Sequence, residues 1–264
     1  MSDTWSPFAY LRFSDERTRA ARDLLAQVPL ESARKVVDVG CGPGNSTALL
    51  LARFAGAEIL GIDSSPAMIA EARRSVPEAR FVEADASAWL PSPDTDLVFA
   101  NAVYHWIPDH LLLFPRLLAC LKPGAVAAIQ MPDNFAEPTH QLMRQVADDG
   151  PWAERLSRVA RPSLPPVRVF FDALWPSTSR LDIWHTIYNH VLDGPDAIVD
   201  WVGGTGLRAF IDPLPPDERA DFLSRYRGRI AQAYPRNAGG KVLLRFPRLF
   251  IVAVRSTADT NAAA

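Results

Sequence analysis

The chain has 264 residues, and its 28 Lys and Arg against 30 Asp and Glu give a formal net charge of −2. At about 100–200 residues per domain, this length allows one large domain, or one domain with a sizeable insertion, that needs no disulfide or metal staple. The balanced charge excludes the bulk basic surface that is typical of proteins binding nucleic acid or anionic lipid.

Cysteine usage and the apolar pattern bear on the cellular compartment. Cys41 and Cys120 are the only cysteines in the sequence, too few for a disulfide framework, and no Cys/His cluster has zinc-site spacing. The N-terminal residues lack the features of a secretory signal, and no apolar run approaches the ~20 residues that span a bilayer. We therefore expect a cytoplasmic protein, monomeric or weakly dimeric, with no membrane, metal or nucleic-acid partner.

Short apolar strands alternate with helices through the first half of the chain. A helix with one apolar face is predicted over 15–28, and another over 66–75 opens with Ser65-Pro66, a favoured pair at a helix start. Strands are predicted at 36–39, 58–62, 80–83, 97–100 and 125–130, with further helices at 46–54 and 110–120. Near-continuous apolar strands between helices indicate an α/β fold with a parallel sheet covered on both faces.

The pattern changes after Met131. Helices are predicted at 138–148, 195–203 and 216–233, and a strand at 181–191. The segment 241–255 predicts a long strand or a hairpin broken at Pro247, with 246–250 as the bend. We interpret 132–180 and 192–240 as excursions over the sheet within a single domain spanning 1–264.

A glycine-rich turn follows the first strand. Gly40, Gly42 and Gly44 permit positive φ and let a ligand approach the backbone closely, and the helix N-terminus beyond them suits an anionic group. One strand later, Asp63 stands at a strand end, placed to grip two ribose hydroxyls, and Asp85 ends the third strand. Together these features predict a nucleotide site rather than an ordinary tight turn.

The charge and spacing of this turn distinguish between nucleotides. Its G-x-G-x-G spacing differs from the G-x-G-x-x-G of dinucleotide-binding folds, and Asp38 adds negative charge where a pyrophosphate would be repelled. An adenosyl sulfonium compound that carries an amino acid fits better than NAD. An NAD-dependent oxidoreductase is therefore the disfavoured alternative, and competition binding would distinguish the two.

The motifs DVGCGPGNS, GIDSSPAM and EAD together resemble those of the class I S-adenosylmethionine-dependent methyltransferases. The resemblance covers about 30–131 and the last strand pair. It implies a doubly wound, Rossmann-like, mostly parallel seven-stranded sheet with an antiparallel last strand and a helical cap. It also implies S-adenosyl-L-methionine as cofactor, with 30–131 as the cofactor-binding half and 132–180 and 192–240 as substrate segments.

The same resemblance implies roles for individual residues. The three glycines would wrap the methionine part of the cofactor, and Asp63 would bind the ribose. Asp85 with Ala86 would face the adenine, and Asn101 would lie beside the sulfonium. The full expected cofactor set is Asp38, Gly40, Gly42, Gly44, Asn45, Asp63, Ser64, Asp85, Ala86, Asn101 and Ala102.

Nearly the whole chain is similar, within this class, to the family of methyltransferases that act on trans-aconitate. The similarity lies in WSPFAYLRFSDERTR, PGNSTALL, GIDSSPAMIAEAR, FVEAD, MPDN followed by EPTH, IVDWVGGTGLR and FPRLFIVA. It implies in-line methyl transfer to a carboxylate of a small polycarboxylate, giving the monomethyl ester of trans-aconitate. One departure is NAVYHW at 101–106, where a Gln-Trp pair is expected.

A carboxylate is already ionised at neutral pH, so we expect no catalytic base. A polycarboxylate does need cations and hydrogen-bond donors to replace its hydration. The candidate substrate-binding residues are Arg208, Tyr188, His190, Trp201, His105, Tyr10 and Arg17. The alternatives are a solvated surface arginine at 208, ordinary strand residues at 188 and 190, and a packed lid histidine at 105. Arg208 is expected in a loop between helices.

Two other functions stay open at this point. One is methylation of another small or carrier-bound carboxylic acid, for which a carrier would require a basic docking patch. The other is a non-catalytic protein that binds S-adenosylmethionine, which would lack an Arg-lined pocket. Amino-group methylation of nucleic acid is disfavoured, because 101–104 lacks the prolines of the Asn-Pro-Pro-Tyr pattern.

Overall fold

The computed structural model describes residues 14–159 and 162–257. Its strands are β1 (Lys35–Val39), β2 (Glu58–Asp63), β3 (Arg80–Glu83), β4 (Leu97–Asn101), β5 (Val126–Pro132), β6 (Thr178–Leu192) and β7 (Val242–Arg255). They form one seven-stranded sheet in the order β3-β2-β1-β4-β5-β7-β6. The predicted doubly wound architecture is confirmed, because the chain starts at the middle of the sheet and builds outward in both directions.

The described residues form helices α1 (Ser14–Ala26), α2 (Asn45–Arg53), α3 (Pro66–Ser75), α4 (His110–Cys120), α5 (Pro138–Asp148), α6 (Ala153–Leu156), α7 (Val167–Leu174), α8 (Pro195–Gly203), α9 (Arg208–Ile211) and α10 (Pro216–Ala233). Every predicted helix is confirmed, with ends shifted by at most two residues. The short helices α6, α7 and α9 were not predicted. None of the helices in these ranges is both long and apolar enough to cross a membrane.

The parallel strands bring their carboxyl ends to one edge of the sheet. β1 pairs in parallel with β2 and with β4, and β4 pairs in parallel with β5. β1, β4 and β5 are buried almost throughout, as expected for strands covered on both faces. The residues that follow β1, β2 and β4 therefore lie near one another.

The last strand is antiparallel and unbroken. Arg255 N donates to Ala125 O at 2.8 Å, and Asp133 N donates to Pro247 O at 3.0 Å, so β7 runs opposite to β5. The alternative of a hairpin broken at Pro247 is wrong. The carbonyl of this proline still accepts a ladder hydrogen bond, so the strand continues past it.

The chain divides into two compact units. Among the described residues, the first comprises 14–132, Pro165–Thr186 and 249–257, and it contains β1 to β5. The second comprises 133–159, 162–164 and Ile187–Arg248. Strands β6 and β7 contribute residues to both units.

Helix α10 carries the core of the second unit. Phe222, Tyr226 and Ile230 recur at four-residue spacing and are fully buried, which explains why this stretch forms an amphipathic helix. Tyr226 Oη donates to Thr139 O at 3.1 Å, and the ring of Trp152 lies 5.3 Å from that of Phe222. These contacts join α5, α6 and α10.

Candidate active site

Three glycines with positive φ shape the turn between β1 and α2. Their φ values are +64° at Gly40, +53° at Gly42 and +96° at Gly44. A Cβ on Gly40 would lie 1.9 Å from a methyl group of Val103, whereas a Cβ on Gly42 would meet no atom within 4 Å. Gly40 is therefore required by packing within the protein, while Gly42 borders open space that a ligand can fill.

Asp38 is fully buried beneath this turn. Its Oδ2 accepts hydrogen bonds from Ser46 Oγ at 2.7 Å and Thr47 Oγ1 at 2.6 Å, both in the first turn of α2. Burial raises the pKa of Asp38 to about 7, against the two hydroxyl donors that lower it, and the charge of Asp63 raises it further. Its Oδ1 has no hydrogen-bond partner among the residues that the structure describes.

Asp63 ends β2 and ties the glycine turn to the start of α3. Its Oδ2 accepts from Gly42 N at 3.0 Å, and its Oδ1 accepts from Ser65 N at 2.9 Å. Burial raises its pKa, while these backbone donors lower it. Ser65 also caps α3 by accepting from Met68 N at 3.4 Å, which confirms the helix start predicted from Ser65-Pro66. The exposed Ser64 follows Asp63 directly.

Asp85 lies two residues beyond β3 rather than at its end, because β3 stops at Glu83. The carboxylate is exposed, and its Oδ1 accepts from Ser87 N at 2.8 Å, which lowers its pKa. Ala86 beside it is partly buried. This exposed turn begins after Ala84, whose N–H donates to Asp63 O at 3.0 Å. Hydrogen bonding thus holds the chain leading to Asp85 and Ala86 against the Asp63 strand end.

The chain turns sharply after β4. Asn101 ends the strand, and its Oδ1 is buried without a hydrogen-bond partner in the described part of the chain. Ala102 has φ +61°, and its N–H donates to Gln130 O at 2.9 Å. A non-glycine residue in this region costs about 1–2 kcal/mol, so the turn stores strain beside the glycine loop. His105 follows in a 3-10 turn and is buried with its ring 4.6 Å from that of Trp106.

These elements enclose a cavity in the first unit. It is lined by Thr18, Ala21, Gly40, Cys41, Pro43, Asn45, Ser46 and Asn101. Helix α1 forms one wall of the cavity, and the glycine turn with the first residues of α2 forms a second wall. The end of β4 forms the third wall. Of the residues expected to bind the cofactor, Gly40, Asn45 and Asn101 line this cavity.

The residues present fit an adenosyl sulfonium ligand that carries a free amino acid. Asp38 Oδ1 and Asn101 Oδ1 are buried acceptor oxygens without a hydrogen-bond partner among the described residues, and Asp63 presents a carboxylate suited to hydroxyl donors. The positive φ of Gly42 and the open space beside it leave room for a ligand against the backbone. The chemistry of Asp38, Gly42, Asp63 and Asn101 is therefore compatible with such a ligand.

Three of the predicted substrate residues lie together in the second unit. Tyr188 and His190 share the buried face of β6, with their rings stacked at 6.0 Å. Trp201 on α8 lies 4.7 Å from His190. Phe246 on β7 completes the group at 6.1 Å from His190.

The other predicted substrate residues are placed differently. Arg208 is the first residue of α9 rather than a loop residue, because Arg208 N donates to Thr205 O and the helix starts there. Its Nη2 contacts Asp212 Oδ2 at 3.1 Å, one helical turn away. Tyr10 and the side chain of Arg17 lie outside the described residues.

Sequence reasoning missed Arg248. It assigned 246–250 to a bend, but Arg248 is buried in the unbroken strand β7. Its guanidinium lies 4.7 Å from the ring centre of Phe246 and 5.9 Å from that of Tyr188. The available signal was the spacing of two between Phe246 and Arg248, which places both on one face of a strand.

Comparison with known proteins first defines the class. A family model described as a methyltransferase domain matches residues 36–124, which contain the glycine turn, Asp63, Asp85 and Asn101. The Bacillus subtilis YcgJ protein is similar in fold, with a TM-score of 0.59, 14% identity, and coverage of 91% of this chain and 99% of that one. Haemonchus contortus phosphoethanolamine N-methyltransferase 2, solved with S-adenosylhomocysteine, is also similar in fold. Its TM-score is 0.57 at 16% identity, with coverage of 95% of this chain and 57% of that one. The fold is that of the Rossmann-like methyltransferases.

Sequence similarity then defines the family. A trans-aconitate 2-methyltransferase from Rhodopseudomonas palustris strain BisB5 is 56% identical over 253 residues, covering 95% of this chain and 99% of its own length. Another from Methylobacterium radiotolerans is 51% identical over 262 residues, covering 96% and 99%. The chain belongs to the trans-aconitate 2-methyltransferase family.

Proposed function

We propose that this protein transfers the methyl group of S-adenosyl-L-methionine to one carboxylate of trans-aconitate and forms its monomethyl ester. The observation that carries this proposal is the 51–56% identity to relatives of that name over nearly the whole chain. The similarity extends through the second unit as well as the glycine turn. It therefore covers the candidate substrate residues Tyr188, His190, Trp201 and Arg208.

The first unit supplies the groups that would hold the methyl donor. Asp63 would bind the ribose hydroxyls, and the buried oxygens of Asp38 and Asn101 would accept from, or lie against, the cationic amino acid and sulfonium part. Gly42 lets this part of the donor lie against the backbone. When bound, S-adenosylmethionine would supply a methyl group on a cationic sulfur. Transfer of this methyl group to a carboxylate oxygen forms the ester O–C bond, breaks the C–S bond and leaves S-adenosylhomocysteine.

The protein contributes orientation rather than proton transfer. Carboxyl groups have pKa values near ~4, so the acceptor oxygen already carries its lone pairs and charge at neutral pH. Holding the acceptor at reacting distance and alignment supplies on the order of 7–11 kcal/mol of the barrier. Removing water from the reacting oxygen strengthens the attraction to the cationic donor. A general base is not needed for this chemistry.

The chain works in this proposal as one methyltransferase domain. Residues 30–131 bind the cofactor, and 132–180 and 192–240 serve the substrate, with Arg208, His105, Tyr188, His190 and Trp201 as candidate contacts. The enzyme acts in the cytoplasm as a monomer or weak homodimer without nucleic acid. The balanced net charge of −2 and the free cysteines support this setting.

The two other functions are less well supported. Methylation of a different carboxylic acid would require a second unit built differently from those of the named relatives, yet the match to them covers 95–96% of this chain and so extends over this unit. A non-catalytic binder would not need a buried arginine and histidine in that unit. Both remain distinguishable by experiment.

The test is incubation of the purified protein with methyl-labelled S-adenosylmethionine and trans-aconitate, followed by treatment with base. Release of the label as methanol identifies a carboxyl methyl ester, and NMR of the product identifies the esterified carboxyl group. Asp63→Ala serves as the control variant, because it removes the ribose ligand. Absence of label in a sample shown to bind S-adenosylhomocysteine would contradict the substrate assignment.

A further inference from the structure

Helix α1 carries a polar residue on its buried face. Thr18, Ala21 and Leu25 recur at spacings of three and four, so their side chains lie on one face of the helix. Ala21 is 2% exposed and Leu25 is 7% exposed, and both anchor the helix to the first unit, whereas Thr18 is half-buried. A hydroxyl therefore stands in line with an apolar stripe, at the end of the stripe that is nearer the N-terminus.

This hydroxyl lies at the cavity described above. Thr18 and Ala21 form the wall that α1 contributes, Asn45 and Ser46 at the start of α2 form part of another, and Asn101 lines the end of β4. Helix α1 packs against α2 and β5, so the three walls belong to one packed arrangement within the first unit. Thr18 brings a hydrogen-bonding side chain to the α1 wall, and Ala21 brings only a methyl group.

The cofactor brings two opposite charges on its amino-acid end. Its ammonium group only donates hydrogen bonds, and its carboxylate only accepts them. Asn101 Oδ1 is a buried acceptor without a hydrogen-bond partner among the described residues, so it suits the ammonium group. The carboxylate requires hydrogen-bond donors from the other walls of the cavity, because a charged group that leaves water must regain its hydrogen bonds.

The side-chain hydroxyls at the start of α2 serve a different purpose. Ser46 Oγ and Thr47 Oγ1 both donate to Asp38 Oδ2, at 2.7 and 2.6 Å, so they point beneath the glycine turn. The residue at the N-cap of α2 is Gly44, which has no side chain to cap the first N–H groups of the helix. These backbone groups favour an anion on this wall, and Thr18 offers a hydroxyl donor from the α1 wall.

We propose that the Thr18 hydroxyl donates a hydrogen bond to the α-carboxylate of S-adenosylmethionine. This inference deepens the proposed function and rests on its account of cofactor binding, but not on which acid is methylated. A hydrogen bond to a charged oxygen is stronger than one between neutral groups. Helix α1 thereby joins the glycine turn in selecting a cofactor whose amino-acid carboxylate is intact.

Calorimetry with two ligands isolates this contact without methyl transfer. S-adenosylhomocysteine carries the α-carboxylate, and its decarboxylated analogue lacks only that group. Thr18→Val removes the hydroxyl and keeps a β-branched side chain, so we expect S-adenosylhomocysteine to bind about 10–100-fold more weakly than to the wild type. The decarboxylated analogue should bind the variant and the wild type with equal affinity, because the hydroxyl has no carboxylate to contact in either complex.

Three further variants keep the test decisive. Thr18→Ser retains the hydroxyl, and we expect it to bind both ligands within a few-fold of the wild type. Thr18→Ala also removes the hydroxyl and should repeat the result of Thr18→Val, so the test stands even if the valine variant does not fold. Arg22→Gln changes an exposed residue of the same helix and should leave both affinities unchanged. Urea unfolding identifies the variants that are folded.

A threonine hydroxyl that only donates to a backbone carbonyl one turn earlier in the helix would give a different pattern. Its removal would weaken both ligands by the same factor or would affect neither, and either result in the folded variants at 18 overturns the proposal. Failure of the proposed function is distinguishable from this result. If the wild type does not bind S-adenosylhomocysteine, both proposals fail, whereas a wild type that binds it and forms the ester leaves only the Thr18 contact in question.

Discussion

Alanine substitutions at Gly40 and Gly42 separate what the glycine turn does for folding from what it does for the cofactor. Both positions have positive φ, so alanine is strained at either one. They differ in their surroundings, since a Cβ at 40 would overlap Val103 at 1.9 Å while a Cβ at 42 would enter open space. The structure therefore predicts different consequences for two chemically identical changes.

The expected magnitudes follow from these contacts. The left-handed conformation costs an alanine about 1–2 kcal/mol at each position, and the stiffer unfolded chain offsets about 0.4–1 kcal/mol of that. Displacing Val103 adds about 1–3 kcal/mol for Gly40→Ala alone. Gly40→Ala is therefore less stable than Gly42→Ala by about 1–3 kcal/mol, whereas Gly42→Ala fills the space that we propose for the cofactor.

Urea unfolding measures the difference in stability, and calorimetry with S-adenosylhomocysteine measures binding. Combining Gly40→Ala with Val103→Ala removes the overlapping methyl groups, so we expect part of the lost stability to return. Equal stability of the two glycine variants would refute the steric reasoning. Wild-type binding by folded Gly42→Ala would refute the placement of the cofactor against this turn.

Three further predictions concern charged residues. Because burial raises the pKa of Asp38 from 3.8 to about 7, the folded cofactor-free protein holds this proton more tightly than the unfolded chain. The resulting stability is present below about pH 4 and is lost as pH rises toward 7, by at most ~4 kcal/mol. Urea unfolding at pH 5 and pH 8 measures this loss of unfolding free energy, and we expect the difference between the two pH values to be smaller in Asp38→Asn than in the wild type. An equal difference in the two proteins would contradict the prediction. Asp63→Ala removes the acceptor for Gly42 N and the ribose ligand, so we expect no detectable binding of S-adenosylhomocysteine in a folded variant. If Asp63→Ala and the wild type bind S-adenosylhomocysteine with equal affinity, Asp63 is not a cofactor ligand. Arg208→Ala should raise the KM for the acid with little change in cofactor affinity, and an unchanged KM would leave Arg208 as the helix-surface partner of Asp212.

Local features of the sequence were sufficient for most of the first unit. Apolar runs separated by helices predicted β1 to β5, and Ser65-Pro66 predicted where α3 begins. The glycine turn was predictable because backbone conformation there depends on residues adjacent in the chain. The placement of Asp63 and Asn101 at the same edge of the sheet was also predictable, because parallel strands end at one edge.

Features that depend on distant residues needed the tertiary structure. Pro247 predicted a break, but β7 continues because Asp133, more than a hundred residues earlier, donates to its carbonyl. The sequence also predicted a loop at Arg208, where α9 begins. Four-residue helices carry too little periodicity to be seen.

The sequence by itself determined the parallel α/β fold and the glycine turn, because strand periodicity and glycine conformation are local properties, while the methyltransferase class followed from the resemblance of its motifs to those of known proteins. Only the tertiary structure decided which polar residues lose their water. Arg248 is buried by Tyr188 and Phe246, and Asp38 by the helix that follows its own turn. Burial depends on how separate segments pack. The sequence therefore identifies the charged residues, whereas the tertiary structure determines how strongly their charges interact.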